Sequence, residues 1–258
     1  IVRRTTSISY FGGILPYSQN QTAQIQQWVA DSLMYNFSRI CADSLGGSDP
    51  WDIERYMNIW IGDMRIFEPL VNNFEEITFL GLARPVANHP SFAGTGVDSL
   101  PITPGAIMHY MAIGPNNPRA FPPPYGAFNT ISSEGDLLSH EAGHFLGLRH
   151  IWGDGNCSAD DFIDDTPLSN NSNQFTCNKQ RNTCVDSIGG LNLPDMVENF
   201  MDYSSDACLN SFTHQQAQAM RATLFNFYPN LFTIGQKEPR LAQMACYPNP
   251  SNGLINLE

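Results

Sequence analysis

Residues 140–150 read His-Glu-Ala-Gly-His-Phe-Leu-Gly-Leu-Arg-His, and no other stretch restricts the chain so strongly. On a helix, positions i and i+4 share one face, so His140 and His144 can turn ring nitrogens to the same point. Glu141, next to the first of them, is directed elsewhere and can reach a water at that point, the position of a general base in hydrolysis. His150 lies six residues past His144, which a continued helix would carry about 9 Å further along its axis. The chain must therefore leave the helix between them, and Gly147 is the residue that can take the left-handed conformation ending it. Three neutral imidazoles and a water form a typical open zinc site. At this chain's own residue frequencies the pattern arises by chance with a probability of about 10⁻⁵. His89, His109 and His214 have no comparable setting and read as structural or surface residues.

The surrounding chain supplies one helix for this site and a scaffold to carry it. Residues 21–40 show the 3.6-residue apolar stripe of a helix through Ile25, Val29, Leu33, Met34 and Phe37. Tyr56–Ile61 and Ala106–Ile113 are short apolar runs that read as strands, the second between Pro104-Gly105 and Gly114-Pro115. Ser132 or Ser133 offers an N-cap to the histidine helix, and Thr213 caps a helix through Gln215–Phe227 with Ala217, Met220, Leu224 and Phe227 inward. The order of helix, strands, helix, long irregular loop and helix predicts an α+β fold with helices on a mixed sheet.

Between the second and last helices, Cys157, Cys177, Cys184 and Cys208 fall in a stretch rich in Asn, Asp, Ser and Gly. Such a segment cannot hold itself by an apolar core, so disulfides, and with them an oxidising extracytoplasmic compartment, are expected. Six cysteines allow fifteen connectivities, which the residues alone leave open. The same loop holds Asp154, Asp160, Asp161, Asp164 and Asp165, whose mutual repulsion a hard cation with oxygen ligands would relieve. Lys and Arg number 13 against 25 Asp and Glu, a net charge of −12. That balance argues against nucleic acid or an anionic membrane as the main partner. No apolar run approaches the roughly 20 residues of a membrane span, and 42% hydrophobic residues exclude a disordered chain. The opening Ile1-Val2-Arg3-Arg4 lacks Met and a signal-peptide pattern, as in a processed chain.

The pattern HExxHxxGxxH resembles the metzincin metallopeptidases, and Asn199-Phe200-Met201-Asp202-Tyr203 is similar to their Met-turn. The wider strings HEAGHFLGLRHIWGDGNC, DDFIDDTP and NFMDYSSDACLNSFTHQQAQAM resemble the pappalysin family, including its ulilysin-like and cytophagalysin-like members, from roughly Tyr56 to Phe227. The resemblance implies a metzincin-type catalytic domain over 1–232: a mixed twisted sheet, an active-site helix, a long loop stabilised by disulfides and calcium, a Met-turn and a C-terminal helix. It implies a secreted endopeptidase in which His140, His144 and His150 bind zinc and Glu141 activates a zinc-bound water. Met201 would be the apolar floor under the metal, and Tyr203 would stabilise the oxyanion. It further implies calcium on Asp161 and Thr166, with Asp165 a plausible addition, and the pairs Cys157–Cys184 and Cys177–Cys208. Cys41 and Cys246 find no partner in the pattern. Protein or peptide substrates, a removed propeptide and cleavage beside basic residues also follow, with Asp206 a candidate for an acidic pocket wall. Residues 233–258 read as a linker and the truncated start of a C-terminal sorting domain, similar to that of type IX secretion in Gram-negative bacteria.

Two other readings compete. A binding module on the same scaffold would be signalled by loss of Glu141, which is present. An HExxH peptidase with a distant Glu as third ligand is opposed by His150 at the metzincin spacing and by Met201 downstream.

Overall fold

The computed structural model describes residues 37–70, 73–100, 102–117 and 134–231, with the side chains of 65–77 and 99 outside that description. Its regular elements are β1 (Ile59–Gly62), β2 (Arg65–Leu70), β3 (Asn73–Thr78), β4 (Gly81–Arg84), β5 (Gly105–His109), α1 (Leu137–Phe145) and α2 (His214–Phe227), with short 3₁₀ turns between them. The sheet β1-β5-β4 is mixed, as expected: β1 runs parallel to β5, while β4 runs antiparallel to it. All five residues of β5 are buried, as befits a central strand covered on both faces. β2 and β3 form a separate antiparallel hairpin.

Register explains how the sheet divides its faces. Trp60, Ile107 and Leu82 lie opposite one another across the strands and pack with Phe37, Ile40, Met64 and Ile102 in one core. The Trp60 indole N–H is buried but satisfied, donating to the Ser48 carbonyl at 2.7 Å. The neighbouring positions face the other way, and α1 lies against β4 and β5 there. A second core, Leu148, Ile151, Trp152 and Met201 with Phe212 and Met220 against it, sits beyond α1.

Several sequence expectations shift. The helix expected over 21–40 lies outside the described residues except for Phe37–Ile40, which is helical, and Ser132, Ser133, Cys246 and the tail also lie outside. The first strand starts at Ile59, because Tyr56 closes a turn with its N–H on the Asp52 carbonyl at 3.0 Å. The second ends at His109, whose Nδ1 accepts the Met111 amide at 3.1 Å and starts a 3₁₀ turn. Thr213 does cap α2, in a reciprocal box with Gln216. The buried side chains of α2, however, are Gln216 and Thr223, while Phe227 is exposed. Polar pairing sets that face: Gln216 exchanges two hydrogen bonds with the Asn199 side chain, and Thr223 bonds His89 at 3.0 Å.

From Leu146 to Phe212 the chain has neither helix nor strand, only isolated bridges such as Asn199 to Ser211. Disulfides Cys157–Cys184 and Cys177–Cys208, spanning 27 and 31 residues, cross-link it. Cys41 is a free, buried thiol. Aspartates do the rest, taking over the backbone amides that a ladder would otherwise satisfy. Asp186 accepts from the Leu168 and Leu193 amides, and Asp202 from that of Asn173. Asp195, 2% exposed, accepts from the Thr183 amide and pairs with Arg181 at 2.7 Å, which compensates its buried charge.

Candidate metal centre and cleft

Helix α1 delivers His140, Glu141 and His144 and then stops. Gly147 takes φ +93°, and the Leu148 amide reaches back to the Gly143 carbonyl at 2.9 Å, the closure of a helix on a left-handed residue. The site has no room for a side chain there, since an added Cβ would meet the His89 ring at 2.4 Å. The reversal turns the Leu148 carbonyl toward His144 Nδ1, 2.9 Å away, and brings His150 back beside the helix.

The three histidines converge. Nε2 of His144 lies 3.1 Å from that of His140 and 3.0 Å from that of His150. They are the group of metal-binding side chains that comes together among the described residues. Each Nδ1 is already committed, to the carbonyls of Phe200 (2.6 Å) and Leu148 and to the Asp154 carboxylate. Those acceptors require Nδ1–H, which leaves three Nε2 lone pairs facing one another. Burial, reinforced by the neighbouring His150, pushes His140 down to about 3 and His144 well below its usual value, so neither takes a proton near neutrality. Three lone pairs this close repel unless a cation lies between them. Tetrahedral zinc with 2.0–2.1 Å bonds would hold its nitrogens about 3.3 Å apart, close to the spacing seen. The donor set fits the metal.

Glu141 is 4% exposed, and its Oε2 has no hydrogen-bond partner. Burial pushes its carboxyl up to about 8. Gly81 of β4 makes space for it: a Cβ there would lie 2.3 Å from Glu141 Oε1. Below the helix, residues 199–203 form a turn in which each member has a task. Asn199 is clamped to Gln216, Phe200 gives its carbonyl to His140, and Asp202 accepts the Asn173 amide. Met201, wholly buried, packs beneath Gly143 of α1. Tyr203 brings its ring to 4.8 Å from Trp152, 4.9 Å from His150 and 5.5 Å from His140. Burial, then the charge of Glu141, raises its phenol above the ordinary value and keeps it protonated.

A cleft of about 450 Å³ opens over these groups. Edge strand β4 forms one wall and Phe92, Gln174, Phe175 and Leu209 contribute elsewhere. Among the described residues its lining carries Glu141, Asp154, Asp202 and Asp206 and no Lys or Arg. Asp206 is buried, its Oδ2 accepting the amides of Glu134 and Gly135 at 2.8 and 3.1 Å. Asp161 and Thr166 are buried together, the Thr166 hydroxyl 2.9 Å from both carboxylate oxygens and 2.7 Å from the Ile163 carbonyl. Asp165 accepts the Gln215 amide at 3.0 Å through Oδ2, while its buried Oδ1 has no partner.

Sequence reasoning missed β4 and the wall residues Phe92, Gln174 and Phe175. Gly81 was the available signal, because a glycine within a strand marks a close approach. Phe175 left none beyond its neighbouring Cys177.

Residues 121–225 match the family model described as pregnancy-associated plasma protein-A, Peptidase_M43. An extracellular metalloprotease of Arthroderma benhamiae is 41% identical over 91 residues, 34% of this chain and 29% of that protein. One of Aspergillus oryzae is 40% identical over 96 residues, 36% of this chain and 29% of that protein. Among solved structures, a promirolysin mutant of Tannerella forsythia superposes with a TM-score of 0.54 at 31% identity, over 74% of this chain and 52% of that one. Mature mirolysin in complex with a cleaved peptide gives 0.53 at 31% identity, over 73% and 59%. The chain thus spans well under two thirds of the length of each. Its fold is that of mirolysin, and its central segment is pappalysin-like.

Proposed function

Since residues 121–225 carry the pappalysin-type pattern on a mirolysin-like fold, we propose that this chain is a secreted zinc endopeptidase. The observation that carries the reading is the convergence of three Nε2 lone pairs beside a buried carboxylate with an unpartnered oxygen. His140, His144 and His150 would hold the zinc through Nε2. Bound there, zinc supplies Lewis acidity, making water more acidic and polarising a carbonyl. Glu141 takes the proton of the attacking water at its unpartnered Oε2 and passes it to the leaving amine. Tyr203, kept protonated, donates its phenolic hydrogen to the oxyanion that forms at the scissile carbonyl. Met201 fixes the floor of the site by its contact with the helix at Gly143. Edge strand β4 beside the cleft suits an extended peptide, which can align its backbone with a strand edge. A cleft lining with four acidic side chains and no Lys or Arg among the described residues favours basic substrate side chains.

The domain over 1–232 is thus the catalytic unit, and 233–258 lead into a sorting domain for type IX secretion. Removal of a propeptide precedes activity. Calcium on Asp161, Thr166 and Asp165 is supported by the Thr166 hydroxyl, which lies within 3 Å of three acceptor oxygens but has one proton to give.

The test compares zinc content and cleavage of a denatured protein, with and without chelator, for wild type and Glu141→Ala in calcium-containing buffer. One zinc per chain in both proteins, with chelator-sensitive cleavage by wild type only, is expected. Zinc-loaded wild type without cleavage overturns the peptidase reading; equal cleavage by Glu141→Ala overturns the role of Glu141.

A further inference from the structure

The three histidines are not held alike. His140 and His144 direct Nδ1 at backbone carbonyls, whereas His150 directs it at a carboxylate, that of Asp154. A carboxylate differs from a carbonyl in kind: it orients the ring and adds a full negative charge behind it. The local backbone is bent to achieve this. Gly153 and Asp154 both take φ +59°, and the Gly153 amide returns to the His150 carbonyl at 2.9 Å. Two successive left-handed residues fold the chain onto the residue four positions earlier, and Asp is among the few non-glycine types that accept this conformation. No side chain fits at position 153, where a Cβ would lie 2.6 Å from the Asp160 amide nitrogen. Arg149 locks the turn from outside, donating to the Gly153 carbonyl at 2.7 Å and the Asp160 carbonyl at 3.2 Å, with Nη2 3.8 Å from Asp154 Oδ2.

The ring itself is constrained from a second direction. Trp152 stacks on His150 with centroids 4.2 Å apart and planes 7° from parallel. Stacking fixes the plane of the imidazole, and the Asp154 contact fixes its direction within that plane. The Asp154 side chain is 48% exposed, so it buries little surface and holds no core together.

We infer that Asp154 is a positioning residue for the third metal ligand, fixing the tautomer and orientation of His150 and strengthening Nε2 as a donor to a divalent cation. The inference rests on the zinc reading above. Asn accepts the left-handed conformation as Asp does and keeps an oxygen for the His150 N–H, so Asp154→Asn removes the charge and leaves the geometry. Asp154→Ala removes both.

The experiment measures zinc affinity of the full chain by competition with a chromophoric chelator, together with the visible spectrum of the Co²⁺-loaded protein and the thermal midpoint of the metal-free protein. Wild type should bind one zinc. Asp154→Ala should bind it about 10–100-fold more weakly, the range for loss of such a partner, with Asp154→Asn between the two. The Co²⁺ bands should shift in Asp154→Ala, and the metal-free midpoints of wild type and Asp154→Asn should agree, since Asn accepts the left-handed backbone that Ala does not. Zinc affinity within twofold of wild type in both variants overturns the inference. Should Asp154→Ala fail to fold, unchanged affinity in Asp154→Asn with an unshifted Co²⁺ spectrum overturns it alone. A wild type that takes up no zinc is a different result, overturning the metal reading before any variant is compared.

Discussion

The contact between Gly143 and Met201 can be tested as a double-mutant cycle. A Cβ added at Gly143 would lie 2.3 Å from Met201 Sδ and 3.3 Å from its Cε, against the 3.5–4.0 Å at which such atoms attract. Met201 cannot retreat with its backbone, because its amide donates to Asn199 Oδ1 at 2.9 Å and its carbonyl accepts the Ile151 amide at 3.3 Å. Only its side chain can move, within a filled core. Overpacking of this kind costs about 1–3 kcal/mol, offset by about 1 kcal/mol of helix propensity when Gly becomes Ala. Gly143→Ala alone should therefore destabilise by about 0–2 kcal/mol. Met201→Ala alone should cost about 2–5 kcal/mol through the cavity it leaves. In that cavity the new methyl meets no sulfur, so Gly143→Ala should instead stabilise by about 1 kcal/mol, the propensity term alone. The two backgrounds thus differ by about 1–3 kcal/mol, a range typical of residues in contact. Urea melts of the metal-free protein, followed by tryptophan fluorescence, give all four corners without metal binding entering the balance. Additivity within about 0.5 kcal/mol would refute the reasoning.

Two further outcomes follow from the geometry. Gly147→Ala should be among the most damaging single changes, because it combines strain at φ +93° with a Cβ 2.4 Å from the His89 ring and 2.8 Å from Thr223 Oγ1. About 2–4 kcal/mol, or roughly 5–10 °C in thermal midpoint, is expected; an unchanged midpoint would contradict it. Burial pushes Asp161 up to about 7 from 3.8. Between those values the native state holds a proton that the unfolded chain has lost, so this group's contribution is present in acid and is lost as pH rises through the window. In calcium-free buffer Asp161→Asn should therefore melt higher than wild type at pH 8 and equally at pH 3, and added calcium should raise only the wild type. A lower midpoint for Asp161→Asn at pH 8 without calcium would contradict this.

Legibility in the sequence followed the range of the physics involved. His140, His144 and Gly147 are related by helical geometry and one backbone reversal, both local, so their arrangement could be read from spacing. Thr213 was equally readable, because its box with Gln216 closes within three residues. The hairpin β2–β3 was not, since Pro69 within a short run argues against a strand. β4 was hidden by its brevity and by Gly81, whose purpose appears only when Glu141 lies against it. Phe227 was assigned inward by periodicity, but the buried face of α2 is chosen by Asn199 and His89, residues far away in the chain. Part of the acid excess was assigned in the sequence to a cation site, but three other aspartates, Asp186, Asp195 and Asp202, substitute for backbone pairing.

The two disulfides interleave: Cys177 lies inside the 157–184 span, and Cys184 inside the 177–208 span. Every peptide bond from 157 to 208 is therefore bridged by at least one of them, and those between 177 and 184 by both. A single nick anywhere in this ladder-free stretch leaves both fragments covalently joined and Tyr203 still tied to the body of the protein. The crossing pattern makes the segment tolerant of a single backbone cleavage.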